Sequence, residues 1–515
     1  MLRLFILIVA AAGLWASGGA YDETYRPQYH FSPKINWTND PCGLVYFGGK
    51  YHLFFQHNPF GDMWGHMSWG HAVSPDLVKW TGLPVAIPEG PDAMIFTGSS
   101  VVDTNNTSGL CDSGRPCIVS IYTGHTPNTE RTPARQTQNL AYSQDGLTWK
   151  KYSGNPVLDL QMADFRDPKV FWHEGGKQWV MVVVLPTEKK VRFYGSSNLK
   201  TWKHLSDFGP EGATGGVWEC PDLYELQAEA NGGRRRWVLK VGLNAGHIAG
   251  GSGEQYFVGE FDGVRFRNDD LEKKPLWLDY GRDCYCALTW NNERDRQKHL
   301  IGWMNNWQYA RETPTSPWRG AMTLPRSLEL RSTREGVRLA QSPGPALESL
   351  RTGVCAYRGR DLAELNRKLV AWPHRTQTFE LLASIRPGKV NRIVWKVFES
   401  TNEYTGIGYD AEARQLFVDR TRSAHIAFNN RFPSRTVAPL EIGNEPFDLH
   451  LFVDHSSIEV FANHGCTVLT NLVFPDPEST GISIQSEGGQ VDSIDVRIWN
   501  LRSIWSGAEM KRTAR

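Results

Sequence analysis

Short apolar or alternating runs, each bounded by Gly, Pro, Asn or Asp, recur along the whole chain. Residues 51–56, 116–122, 179–185, 237–241 and 299–303 are of this kind, and such runs between turn formers predict β-strands. Helical periodicity is nearly absent. An imperfect repeat follows several of the strand-like runs. It reads Ser74-Pro75-Asp76-Leu77-Val78-Lys79-Trp80, then Ser143-Gln144-Asp145-Gly146-Leu147-Thr148-Trp149, then Ser196-Ser197-Asn198-Leu199-Lys200-Thr201-Trp202, with a looser copy ending Glu260-Phe261-Asp262-Gly263-Val264-Arg265-Phe266. The closing aromatics stand on the order of 60 residues apart, and a unit of that length built from short strands without helices predicts the blades of a β-propeller.

About five blades fit between residues 25 and 335, so an all-β, five-bladed propeller is expected over residues 21–335. The repeat stops after Pro325, and the leucines, charges and Pro343-Gly344-Pro345 that follow read as a linker over 336–355 laid against the first domain. Alternating strand candidates then resume at hairpin spacing: 377–385, 392–398, 415–419, 448–454, 457–461 and 493–499. They predict an antiparallel β-sandwich over 356–515. Such a domain either shields the propeller or binds carbohydrate by itself.

The N-terminus changes the setting. Arg3 followed by an uncharged apolar run and small residues near Ser17 and Ala20 predicts a secretory signal peptide over residues 1–20. The run is too short for a membrane anchor, so a secreted or periplasmic protein is expected, with no membrane partner. Lys+Arg 56 against Asp+Glu 55 leaves a net charge of +1, which speaks against nucleic acid as a partner and favours a neutral substrate. Eight cysteines in so long a chain do not make a disulfide scaffold. Cys111 and Cys117 bracket a polar turn and are expected to bridge, pinning the loop that follows Val101-Val102-Asp103 over the entrance to a site. Cys284 and Cys286 alternate on a strand and suit burial. No Cys-x-x-Cys or His-Glu-x-x-His pattern occurs; Trp64-Gly65-His66 and Trp69-Gly70-His71 read as loop or hydrogen-bonding histidines, so neither metal nor cofactor is expected.

Three clusters carry candidate chemistry, each joining an acid to proline and to aromatic or charged neighbours. They are Asn36-Trp37-Thr38-Asn39-Asp40-Pro41-Cys42-Gly43, Phe165-Arg166-Asp167-Pro168, and Trp218-Glu219-Cys220-Pro221-Asp222. One such acid is a turn device. Three together point to glycosidic bond cleavage, which needs one carboxyl group to protonate the leaving oxygen and another to attack or to activate water. The retaining version sets the two about 5 Å apart. In a propeller the first strands of successive blades line one channel, so Asp40, Asp167 and Glu219 can meet although they are far apart in sequence.

These residues resemble glycoside hydrolase family 32, the fructan hydrolases that include exo-inulinases, levanases and invertases. The likeness also runs through Gln56, Trp64, Phe96-Thr97-Gly98-Ser99, Trp303 and the stretch from Leu451 to Phe461. It implies a five-bladed propeller with a β-sandwich and retention at the anomeric carbon of β-fructofuranosides. By position, Asp40 resembles the nucleophile, Glu219 the general acid/base, and Asp167 the carboxylate that holds fructosyl hydroxyls. Asn39, Gln56, Trp64, Ser99, Arg166 and Trp303 fall where the family lines its fructose pocket. Cys42 departs from the family, which usually has Asn there, and it lacks that amide's hydrogen bonds.

The expected activity is an exo-acting β-fructofuranosidase releasing terminal fructose from levan- or inulin-type fructans and sucrose. Residues 303–309 resemble exo-acting inulinases and levanases more than sucrose-restricted invertases. A fructosyltransferase using the same covalent intermediate is one alternative, and a non-catalytic fructan-binding protein is another.

Overall fold

The computed structural model describes residues 21–505 apart from 92, 113, 131, 229–232, 234, 295–296, 374–375 and 443–445. The signal peptide expected over 1–20 lies outside the described residues. Among those residues no helix is long and apolar enough to cross a membrane.

Five antiparallel meanders follow one another along the first part of the chain. Their inner strands are Asn36–Phe47, Met94–Asp103, Arg166–His173, Trp218–Gln227 and Tyr285–Thr289. Each touches the next and the fifth touches the first, which closes a five-bladed ring. A two-residue strand, Trp318–Arg319, pairs in parallel with Asn36 and Trp37, so the first blade takes a strand from the end of the ring.

The continuous apolar runs are explained by stacking of the blades. In the strand Gln178–Leu185, Trp179, Met181 and Val183 pack toward the second blade, where they meet Val119 and Ile121. Val180, Val182 and Val184 pack toward the fourth, against Trp218 and Leu239. A strand buried on both faces has no polar side, so its sequence does not alternate.

The sequence repeat marks the hairpin between the third and fourth strands in each of the first four blades. In each copy an acid or amide caps the turn: Asp76 accepts from the backbone of Val78 and Lys79, Asp145 from Leu147 and Thr148, Asn198 from Lys200 and Thr201, and Asp262 from Val264 and Arg265. The next residue, Leu77, Gly146, Leu199 or Gly263, is left-handed.

The expected linker over 336–355 is a misreading. Gly336–Pro343 pairs along its whole length with Arg326–Thr333 and forms the outer edge of the fifth blade, because that hairpin turns at Arg334-Glu335 without the aromatic-closed motif of the other blades. A 3-10 turn, Pro345–Leu350, leads directly into the strand Arg351–Gly359 of the second domain.

That domain is a six-stranded sheet packed on a five-stranded one around Leu381, Trp395, Ile407, Leu451 and Val460. One helix, Leu362–Ala371, escaped the sequence reading; Asp361 caps it by accepting from the backbone of Ala363 and Glu364. The outer face of the six-stranded sheet meets the propeller. Phe452, Phe461 and Val468 join the same core as Trp80 and Leu347. Arg326 donates to Asp279 at 3.0 Å and to Glu459 at 2.6 Å, and His30 lies between Asp454 (2.8 Å) and Glu459 (3.0 Å). All of these groups are buried.

Candidate active site

Every inner strand breaks register at the same end of the ring: between Thr38 and Pro41, Ile95 and Gly98, Arg166 and Lys169, Glu219 and Asp222, and Tyr285 and Leu288. A bulge bends its strand and re-aims a side chain, and these bulges direct Asp40, Thr97, Asp167, Glu219 and Tyr285 toward one another. Proline follows Asp40, Asp167 and Cys220, where the ladder is broken and no backbone donor is needed.

Asp40, Asp167 and Glu219 line one cavity of about 220 Å³ together with Asn39, Gln56, Trp64 and Arg166. Two roomier clefts, between the fifth blade and the sandwich and at the opposite mouth of the ring, contain none of these three acids. Asp40 accepts a hydrogen bond on Oδ2 from Thr97 at 2.8 Å, while its buried Oδ1 has no partner. Asp167 accepts the backbone N–H of Cys220 at 2.9 Å. Arg166 donates to Glu219 Oε1 through Nη2 at 3.0 Å and to Asp164 at 2.7 Å, and the hydroxyl of Tyr285 donates to Glu219 Oε2.

Burial pushes the Asp40 carboxyl up to about 6; the charge of Glu219 adds to this, and the polar groups of Asn39 and Thr97 beside it oppose it. Burial likewise pushes Asp167 up to about 7, against the pull of Arg166 and with the push of Glu219 and Asp40. Beneath the acids, Lys169 reaches Asp222 and the carbonyl of Thr289, and Lys240 pairs with Glu254 and donates to the carbonyl of Cys220. These buried links join the third, fourth and fifth blades under the cavity.

Two residues expected in the pocket do not line it. Ser99 is committed to strand joining: its hydroxyl donates to the Pro168 carbonyl at 2.9 Å and accepts the Val170 N–H at 2.8 Å. Trp303 is wholly buried, packed on Trp37 and Trp307. Trp307 supplies the surface in its place, with Phe96, Thr97 and Arg311. Trp37 is also core, and its indole holds Asn39 by donating to Oδ1 at 2.7 Å. Cys42 is buried, donates weakly to the Asp40 carbonyl and accepts from Gln56; burial raises its thiol well above the usual range, which leaves it inert.

Residues 30–343 match the N-terminal domain of glycosyl hydrolases family 32, and residues 346–500 match the C-terminal domain of the same family. The chain belongs to glycosyl hydrolase family 32. This family 32 member is a glycoside hydrolase. It is 44% identical to a levanase of Bacillus subtilis over 97% of the chain and 74% of that protein. It is 40% identical to an extracellular exo-inulinase of Aspergillus niger, covering 97% of one and 99% of the other. The crystal structure of exo-inulinase from Aspergillus awamori superposes with a TM-score of 0.87 at 37% identity, over 94% of this chain and all of that one.

The disulfides of this family 32 hydrolase are only partly those expected. Cys111 and Cys117 are bridged, but their loop leaves the second blade after Asp103, at the end of the inner strand remote from Thr97 and the acids. It does not cover the cavity. Cys286 is buried and bridged to Cys220, while Cys284 stays free. Among the described residues one group of donor atoms converges closely enough for a metal, Asp40 with Cys220 and Cys286. Two of its members are sulfurs of that bridge, which lack the thiolate a metal needs. The paired histidines are hydrogen-bonded, His66 to Glu89 and His71 to His52.

Proposed function

We propose that this hydrolase is a retaining, exo-acting β-fructofuranosidase that releases terminal fructose from levan- or inulin-type fructans and from sucrose. The observation that carries the reading is the unequal setting of two acids in one cavity. Asp40 has one carboxylate oxygen, Oδ1, outside any hydrogen bond, whereas Glu219 is oriented by Arg166 and Tyr285 and takes up a proton before it acts as the acid.

In the first step Asp40 Oδ1 bonds to the anomeric C2 as Glu219 gives its proton to the departing oxygen. In the second, Glu219 takes a proton from water, which hydrolyses the fructosyl ester and frees Asp40. The transition state is oxocarbenium-like, and Asp167, pinned by the Cys220 N–H, is the group proposed to grip the ring hydroxyls as charge develops. Trp64 and Trp307 offer flat apolar faces to the sugar. Asn39 and Gln56 complete the polar wall.

The buried Lys169 and Lys240 links close the cavity from below, which favours a chain-end pocket over a through-going groove. The levanase and exo-inulinase likeness supports fructans as substrates, and relatives named extracellular support work outside the cell. A time course on levan and inulin tests the reading. Free fructose is expected from the first points; early products dominated by oligosaccharides with little fructose overturn it.

A further inference from the structure

Cys220 and Cys286 stand on neighbouring inner strands, of the fourth and fifth blades, with Cα atoms 5.3 Å apart and sulfurs joined. Each sits at its strand's bulge in a left-handed conformation, φ 48° and 45°. A non-glycine residue keeps that conformation only where its surroundings over-determine it. Each also follows a residue of the acid/base pair directly: Cys220 follows Glu219, and Cys286 follows Tyr285, whose hydroxyl donates to Glu219.

Cys220 reaches the other two acids as well. Its N–H donates to Asp167, and its Sγ lies 3.7 Å from Asp40 Oδ2. Its carbonyl is held by Lys240. One residue thus adjoins all three carboxylates, and one bridge spans the two strands that must keep Glu219 and Tyr285 in register.

We propose that the Cys220–Cys286 disulfide is a positioning element of the reaction: it locks the Glu219–Tyr285 pair and keeps a thiol hydrogen away from the nucleophile Asp40. The inference rests on the roles given above to Asp40 and Glu219. Opening the bridge with an external dithiol transfers two electrons and two protons. The S–S bond breaks, two S–H bonds form, and the dithiol becomes its cyclic disulfide. The Cys220 thiol then stands within reach of Asp40 Oδ2, which already accepts from Thr97. A second donor there stabilises the carboxylate and blunts its attack.

The acid limb of the pH–rate profile reads this contact. Asp40 is faced by Glu219, Glu254, Asp167, Cys42 and Tyr285, with Arg166 on Asp167 and Glu219. All of these residues are retained in a variant that lacks only the bridge, and the double variant separates any shift in their positions from the effect of the Cys220 thiol.

Peptide mapping of the unreduced enzyme is expected to recover Cys220 and Cys286 in one linked peptide; both as free thiols overturns the proposal. Cys286→Ala leaves the Cys220 thiol. It is expected to lower kcat on sucrose about 10-fold with little change in KM, since small misplacements of reacting groups cost this much or more, and to move the acid limb to lower pH. The double variant Cys220→Ala/Cys286→Ala is expected to keep the kcat loss with the acid limb at its original pH. A bridge that merely stabilises the fold lowers the melting temperature of Cys286→Ala and leaves the limb unmoved, which overturns the proposal, as does a wild-type kcat in that variant. Should Cys286→Ala not fold, graded reduction of the wild type must show activity falling in step with alkylation of Cys220; full activity at full labelling overturns it. Asp40→Asn separates the premises: an active Asp40→Asn sinks the functional reading itself, whereas an inactive one beside a wild-type-like Cys286→Ala sinks this inference alone.

Discussion

Three acids share one cavity, and in the proposed mechanism their neighbours, more than their identity, divide the work. Glu219 has a cation and a hydroxyl on its oxygens, while Asp40 has one bare oxygen. Proton donation to the leaving group matters less when that group departs easily. Glu219→Ala is therefore expected to slow fructan turnover by about 10³-fold and turnover of an activated fructoside far less in its first, fructosyl-transfer step. Equal losses in that step, measured by pre-steady-state release of the leaving group, would remove Glu219 from its role. The acids, Asn39, Gln56, Trp64 and Arg166 were legible because each lies in a compact motif. Ser99 and Trp303 misled, since the direction of a hydroxyl and the depth of an indole depend on neighbouring strands that the motif does not contain. Tyr285, Trp307 and Cys286 were missed for the complementary reason: they reach the site from the last blade.

Elements were legible where their signal is local. The repeated turn was visible because one side chain makes it: Asp145 takes the N–H groups of Leu147 and Thr148 at 2.8 and 2.7 Å. These bonds outweigh burial and hold its carboxyl down at about 2. Asp145→Ala is expected to destabilise the fold by about 1 kcal/mol, the usual net worth of such bonds, with KM for sucrose unchanged because the turn lies at the outer edge of the second blade. Urea unfolding with parallel kinetics checks both halves; a large KM change would show that the turn communicates with the pocket. The bulges that aim the acids were not legible, because a register break is a property of two strands; the prolines after Asp40, Asp167 and Cys220 accompany three of them but equally suit an ordinary turn. The fifth blade's outer hairpin was lost to a linker for a related reason: its tight turn lacks the motif that announces the other four.

At the scale of the whole molecule, the propeller and sandwich are joined through buried charge. His30 is pushed up to about 9: burial alone would lower it, but the hydrogen bonds and charges of Asp454 and Glu459 prevail. A group whose pKa is raised on folding contributes its full stability below its unfolded value of 6.5 and loses it as pH rises through 9. The melting temperature is expected to fall between those values, and His30→Gln to start lower and fall less. A variant with the wild-type slope would assign the effect to another group. The sandwich hairpin from Leu451 to Phe461, legible as two alternating strands and as a resemblance, owes its two buried acids to this junction. The ring itself is fastened by Trp318 and Arg319 pairing beside Asn36 and Trp37, and that clasp sets an order of events during synthesis. A nascent chain that already displays Asp40, Asp167 and Glu219 remains an open ribbon until residue 319 has emerged, so the protein is a thread without a working pocket until nearly the whole propeller has been made.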